Sequence, residues 1–173
     1  MSDNERMLIP VAVDSVRMNL SSGQRVVILK DEKLDRYLLI WIGMSESTAI
    51  ALELQNEKAP RPLTHDLLKT VIDELGGEVV DITVCDLNDN VFFARIGLLN
   101  AQHERVEIDA RSSDAIALAV RTGVPVFVEE SILNEAAITM PAEEDERLEV
   151  YRDFVNQLFE SPSGEEGERR PDA

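Results

Sequence analysis

One stretch, RVEIDARSSDAIALAVRTGVPVFV over residues 105–128, constrains this chain more than any other. Val106, Ile108 and Ala110 alternate with Glu107, Asp109 and Arg111, the period of two that gives a strand one dry and one wet face. Ser112 and Ser113 then offer hydroxyl caps and Asp114 adds negative charge to a first turn. Ala115 to Val120 reads as a short apolar helix stopped by Gly123. Val124 to Val128 is a nearly unbroken apolar run, as expected of a strand covered on both faces. The unit is strand, helix, strand. It gathers Asp109, Arg111 and Asp114 around one helix N-terminus, where free N–H groups and the helix dipole favour an anion.

From the start of the chain, Leu8 to Arg17 carries a strand pattern with Pro10 marking an edge or a strand entry, Val26 to Lys30 follows as a second strand, and Tyr37 to Ile42 is a third, closed by Gly43. These three form a meander. Ser45 can cap a helix over Glu46 to Gln55, and the proline-rich loop to Pro62 leads into a helix capped by Thr64. Its apolar face is Leu67, Leu68, Val71, Ile72 and Leu75, and Gly76–Gly77 ends it. Val79–Asp86, Val91–Leu99 and Arg105–Ala110 read as three further strands, and Glu130 to Ala137 as a short helix. The fold expected is α+β, a largely antiparallel sheet with two or three packed helices and an acidic C-terminal helix. Residues 1–138 form the body, 139–160 the amphipathic helix and 161–173 a disordered tail.

Charge and cysteine content narrow the setting. The net charge is -17; residues 142–173 hold 11 acids against 4 bases, so the body is itself acidic. Passive attraction to nucleic acid or anionic lipid is thereby disfavoured, and a phosphate binder must work through a local cluster or a bound cation. Cys85 is the only cysteine, which excludes an intramolecular disulfide and fits a reducing, cytoplasmic protein. It is expected to point into the sheet as a small apolar residue. Met7 to Val13 is too short, and too broken by Pro10, for a membrane span.

Four motifs in order, RYLLIWIG at Arg36–Gly43, PRPLTHDL at Pro60–Leu67, VFFARI at Val91–Ile96 and IDARSSDAIALAVR at Ile108–Arg121, resemble the BFN, or bifunctional nuclease, domain family over about residues 8–138. The segment EEDERLEVYRDFVNQL is similar to the acidic C-terminal helix of bacterial members, whereas Ser112 stands where the family usually has proline. The resemblance implies an α+β domain, a homo-oligomer and nuclease activity on DNA and RNA; the apolar surface of the sheet and of the amphipathic helix at Glu143 to Glu160 points most simply to a homodimer.

Phosphodiester hydrolysis needs an activated water, charge relief on the phosphate and often metal ions held by carboxylates. The residues suited to this chemistry are His65, Asp66 and Asp109 as catalytic groups, Asp109 and Asp114 as ligands of a divalent cation (Mg²⁺ or Mn²⁺), and Arg61 and Arg111 as phosphate clamps. Plainer roles compete. Thr64 with Asp66, and Ser113 with Asp114, are ordinary helix starts, and Arg111 can bridge to Asp66 or Asp109. His65 at a helix N-terminus is either a neutral imidazole ready to take a proton or hold a metal, or a hydrogen-bonding post for the proline-rich loop. A non-catalytic interaction or regulatory module on the same fold is the alternative to a nuclease.

Overall fold

The computed structural model describes residues 7–139. The helix and tail expected beyond Met140 lie outside these residues. In chain order the elements are β1 (Leu8–Met18), β2 (Arg25–Asp31), β3 (Arg36–Ile42), α1 (Met44–Leu54), α2 (Thr64–Glu74), β4 (Glu78–Asn88), β5 (Val91–Leu99), β6 (Arg105–Arg111), α3 (Ser112–Thr122), β7 (Val126–Glu129), α4 (Glu130–Ala136) and β8 (Ile138–Thr139). The fold is α+β, and the segment at Glu130 makes a fourth helix.

The eight strands form one sheet in the order β6-β5-β4-β7-β1-β2-β3-β8. All pairs are antiparallel except β4 with β7, which run parallel because α3 carries the chain from β6 over the sheet. The first strand joins the two halves. Leu8 to Val11 pair with β7, Ala12 to Met18 pair with β2, and the register shifts between Val13 and Ser15. Pro10 falls in the part that is paired to β7 alone, so the edge character expected of it is local, within a central strand.

Helix α3 is the keel of the core. Ala115 to Ala119 are all buried, Ile116 and Ala117 packing with Leu29, Leu38, Ile40 and Val128, while Ala115, Leu118 and Ala119 pack with Ile82, Ala94, Ile96 and Val126. Small residues on this helix let it lie close to the sheet, and truncating Ile116 or Leu118 to alanine would cost about 2–5 kcal/mol. Gly123 ends α3 at φ 71, a left-handed turn that a side chain resists. Strand β7 is fully buried only at Val126 and Val128, with Phe127 and Glu129 half covered, so the two-sided burial expected there is incomplete.

Helix α2 differs from its sequence reading in one respect. Of its apolar face only Ile72 packs against the core, while Leu67, Leu68, Val71 and Leu75 stay exposed. At the other end of the sheet, Arg36 Nε and Nη2 donate to Asp31 Oδ2 at 3.1 and 2.8 Å, and Arg36 Nη1 donates to Asn134 Oδ1 at 2.9 Å. The β2–β3 turn is thereby tied to α4. No helix among the described residues is long and apolar enough to cross a membrane.

Candidate active site

Three helices begin alike, and not as the serines and threonine suggested. Their N-caps are Gly43, Leu63 and Arg111, none with a side-chain cap, and the third residue of each helix is acidic: Glu46, Asp66 and Asp114. A carboxylate at that position is favoured by the helix dipole and can reach back to the N-cap N–H. Asp66 does so, its Oδ2 accepting from Leu63 N–H at 2.7 Å. Ser112, Ser113 and Thr64 are thus first-turn residues rather than caps, the two serines buried beneath the turn.

Each of these acids then takes an arginine. Arg111 donates Nε to Asp114 Oδ2 at 2.7 Å and Nη2 to Glu46 Oε1 at 2.6 Å. Arg121 donates Nε to Asp66 Oδ1 at 2.6 Å, Nη1 to the Ala117 carbonyl at 2.9 Å and Nη2 to the Ala49 carbonyl at 3.0 Å. Burial opposes ionisation of Asp114, but hydrogen bonds from Arg111 and His65 outweigh it and hold the carboxyl below its ordinary value. Asp66 is lowered likewise, burial being overcome by the Leu63 N–H and Arg121. The bond to Asp114, and then that to Glu46, raises the Arg111 guanidinium.

His65 is 5 % exposed and the one buried residue of α2. Its Nε2 lies 2.9 Å from Asp114 Oδ1. An ionised carboxylate can only accept, so the Nε2 proton points at Asp114. The other ring nitrogen, Nδ1, is buried and has no hydrogen-bond partner. Orphaned buried polar atoms are uncommon and single out positions where something further is bound or moved. His65 also lines a groove of about 490 Å³ between α2 and the β5–β6 strands, walled by Leu68, Ile72, Ile96, Leu98 and Ile108, with Arg111 and Asp114 at its polar end.

The other expected site residues are distributed more widely. Asp66 turns away from His65 toward Arg121, both of its oxygens engaged in structural bonds. Asp109 touches the groove rim, but it stands opposite Arg95 in the β5–β6 ladder, on the sheet face where its charge is felt by Cys85. Arg61 lines a different cavity of about 320 Å³, together with Pro60, Pro62, Asp66 and Arg121, and makes no hydrogen bond or ion pair among the described residues. No group of three His, Cys, Asp or Glu suited to a metal occurs among the described residues. The donors named from sequence do not fit a preformed cation cage, because Asp114 is occupied by His65 and Arg111 and no third such donor gathers with His65 and Asp114 among the described residues. Cys85 sits at a bulge of β4, half-buried, with Sγ 3.7 Å from the Phe93 carbonyl, and burial pushes its thiol up. A raised thiol forms little thiolate at neutral pH, which suits a packing role.

Sequence reading missed Glu46 and Arg121. Glu46 reaches Arg111 across 65 positions, which no local pattern announces. Arg121 had a signal: it follows Asp114 by seven residues, so both lie on one face of α3.

An α+β sheet protein with a carboxylate–histidine pair at the polar end of an apolar groove is the class that fold and site define. Residues 27–141 match the bifunctional nuclease domain, and the chain belongs to that family. It is 41% identical over 157 residues to an uncharacterised protein of Mycobacterium tuberculosis, covering 86% of this chain and 93% of the relative. Against bifunctional nuclease 1 of Oryza sativa subsp. indica it is 25% identical over 120 residues, 68% of this chain and 36% of the rice protein. Bifunctional nuclease 1 of Arabidopsis thaliana is 30% identical over 105 residues, 59% of this chain and 32% of the plant protein. The match therefore spans about a third of these plant relatives.

Proposed function

We propose that this chain hydrolyses phosphodiester bonds of DNA and RNA, with His65 as general base, Asp114 as the group that orients it, and Arg111 and Arg61 as cations for substrate phosphates. The observation that carries the proposal is the 2.9 Å contact of His65 Nε2 with Asp114, which leaves Nδ1 unpartnered beside a groove. With Nε2–H given to a carboxylate, Nδ1 is the nitrogen left to take a proton from water. The water oxygen then bonds to phosphorus, the scissile P–O bond breaks, and the leaving oxygen is protonated from solvent. Arg111 is 68 % exposed at its side chain and uses Nε and Nη2 for its two carboxylates, so Nη1 is available to a phosphate oxygen. Nδ1 is covered in the described conformation, so turnover requires the groove between α2 and β6 to open.

A divalent cation, Mg²⁺ or Mn²⁺, belongs to this reading as a companion of the nucleic-acid phosphates rather than an ion in a carboxylate cage, and no step above depends on it. The lone cysteine supports action in the reducing cytoplasm. A second reading, a non-catalytic interaction module, is favoured by one observation: both Arg111 pairs are already made within the protein, in a chain of net charge -17.

Purified protein incubated with single-stranded DNA or with RNA, in Mg²⁺, Mn²⁺ or EDTA, tests the proposal beside folded His65→Ala and Asp114→Asn variants. Loss of a general base lowers the rate by about 10²–10⁴. Equal cleavage by wild type and both variants would remove His65 from the mechanism. No cleavage by folded wild type under any condition selects the interaction module.

A further inference from the structure

We infer that Gly43 and Glu46 form a positioning unit for His65, acting through Arg111 and Asp114. The inference rests on the reading of His65 as the base. It starts from an unbroken series of contacts: Glu46 Oε1 to Arg111 Nη2 at 2.6 Å, Arg111 Nε to Asp114 Oδ2 at 2.7 Å, and Asp114 Oδ1 to His65 Nε2 at 2.9 Å. Glu46 is neither on the groove wall nor in contact with His65, so whatever it does for the imidazole it does through the arginine.

Exposure assigns the direction of control. The Glu46 side chain is 13 % exposed, whereas Arg111, to which it bonds, is the most exposed member of the series. A long, solvated arginine keeps a single pose only when pinned at both ends, because its rotamer freedom otherwise favours solvent. Asp114 pins Nε from three residues away, and Glu46 pins Nη2 from another helix. With Glu46 gone, Arg111 is free to leave, Asp114 loses the partner of Oδ2, and its carboxylate can rotate Oδ1 off the imidazole.

Gly43 explains how Glu46 holds that pose. Glu46 is the third residue of α1 and folds back over the N-cap, and a β-carbon on Gly43 would overlap its Oε2. The backbone of Gly43, φ -73 and ψ 170, suits any L-residue. Room for the carboxylate, not a special turn, is what this glycine supplies. The Gly43→Ala variant therefore displaces Glu46 without straining the chain.

The test uses the whole protein and two readouts. His65 shares the chain with one other histidine, His103, so the ring ¹⁵N signals of the two are readily separated by NMR. Glu46→Ala and Gly43→Ala should shift the His65 ring signals and lower kcat about tenfold, with KM rising as well because Arg111 also serves the substrate phosphates, whereas Glu46→Gln, which keeps an acceptor, should recover part of each effect. Unchanged His65 signals in Glu46→Ala overturn the inference, whether or not kcat falls. An inactive wild type defeats the nuclease reading, and shifted His65 signals would then still establish the positioning unit.

Discussion

Asp114 and Arg121 stand two turns apart on one face of α3, and each takes one of two adjacent residues of α2: Asp114 holds His65 and Arg121 holds Asp66. Because neighbouring residues on a helix point about 100° apart, the pair works as a two-point clamp on the first turn of α2. One point carries the proposed base. The other is structural.

The structural point can be tested alone. Arg121 is 5 % exposed at its side chain and makes three hydrogen bonds, so Arg121→Met should lower stability by about 2–3 kcal/mol through the carboxylate and carbonyls left unpaired. Urea denaturation measures it; a midpoint equal to wild type would show that the clamp contributes nothing.

Acid should loosen the same region. Asp31, Asp66 and Asp114 all have carboxyls held below the ordinary 3.8 in the folded chain. A group depressed by folding contributes its stabilisation fully above its unfolded value, and that contribution is lost as pH falls through the unfolded value to the folded one. The urea midpoint should therefore fall progressively below about pH 5. Asp114→Asn should make that fall shallower, and an acid limb as steep as that of wild type would speak against the assignment.

Asp109 provides a specificity control for the site. Its place opposite Arg95 predicts that Asp109→Asn, in contrast to Asp114→Asn, leaves hydrolysis at the wild-type rate. A loss comparable to that of Asp114→Asn would place Asp109 in the reaction as well.

The outer face of α2 predicts self-association. Leu67, Val71 and Leu75 follow one another at helical spacing and are 58, 45 and 74 % exposed, a stripe that a second copy of the chain could cover. Light scattering should report a dimer for wild type and a shift toward monomer for Leu67→Glu combined with Val71→Glu. A wild-type monomer at high concentration refutes this.

Packing is equally exposed to test on the opposite sheet face. A β-carbon on Gly97 would stand 2.5 Å from Asp81 Oδ1 and 2.8 Å from Arg105 Nη2, so Gly97→Ala should part the Asp81–Arg105 pair and cost up to about 1 kcal/mol. Thermal unfolding at neutral pH reads the change.

Much of the fold was legible in the sequence because strand alternation and glycine stops are local signals. β2, β3, β5, β6 and β7 fall within a residue or two of where periodicity puts them, while α3 starts at Ser112, three residues before the expected Ala115. Helix starts were misread, since a serine or threonine beside a turn looks like a cap whether or not the next backbone N–H faces it. Gly43, Leu63 and Arg111 hold those places, and the acids at the third helical position carry the interactions instead. His65, Asp114 and Arg111 were each recognisable, but their order of contact was not. Arg111 was expected on Asp66 or Asp109, and only the packing of α1 and α2 against α3 decides that it meets Glu46 and Asp114 while Asp66 meets Arg121.

The divided pairing of β1 bears on how the chain is made. During synthesis Ala12–Met18 can zip onto β2 as soon as that strand follows, but Leu8–Val11 must wait for Val126–Glu129, more than a hundred residues later. During that interval the start of β1 is an open edge, the kind of surface to which another nascent chain can add a strand. Because the Met7 carbonyl accepts from Glu130 N–H, Met7, Ile9 and Val11 are the residues that bond β7, and the donor that Pro10 lacks lies on the side of β1 away from β7. That side has no β2 partner even in the finished fold, so replacing Pro10 should leave the β7 ladder intact and show itself as association of finished chains through a newly supplied donor.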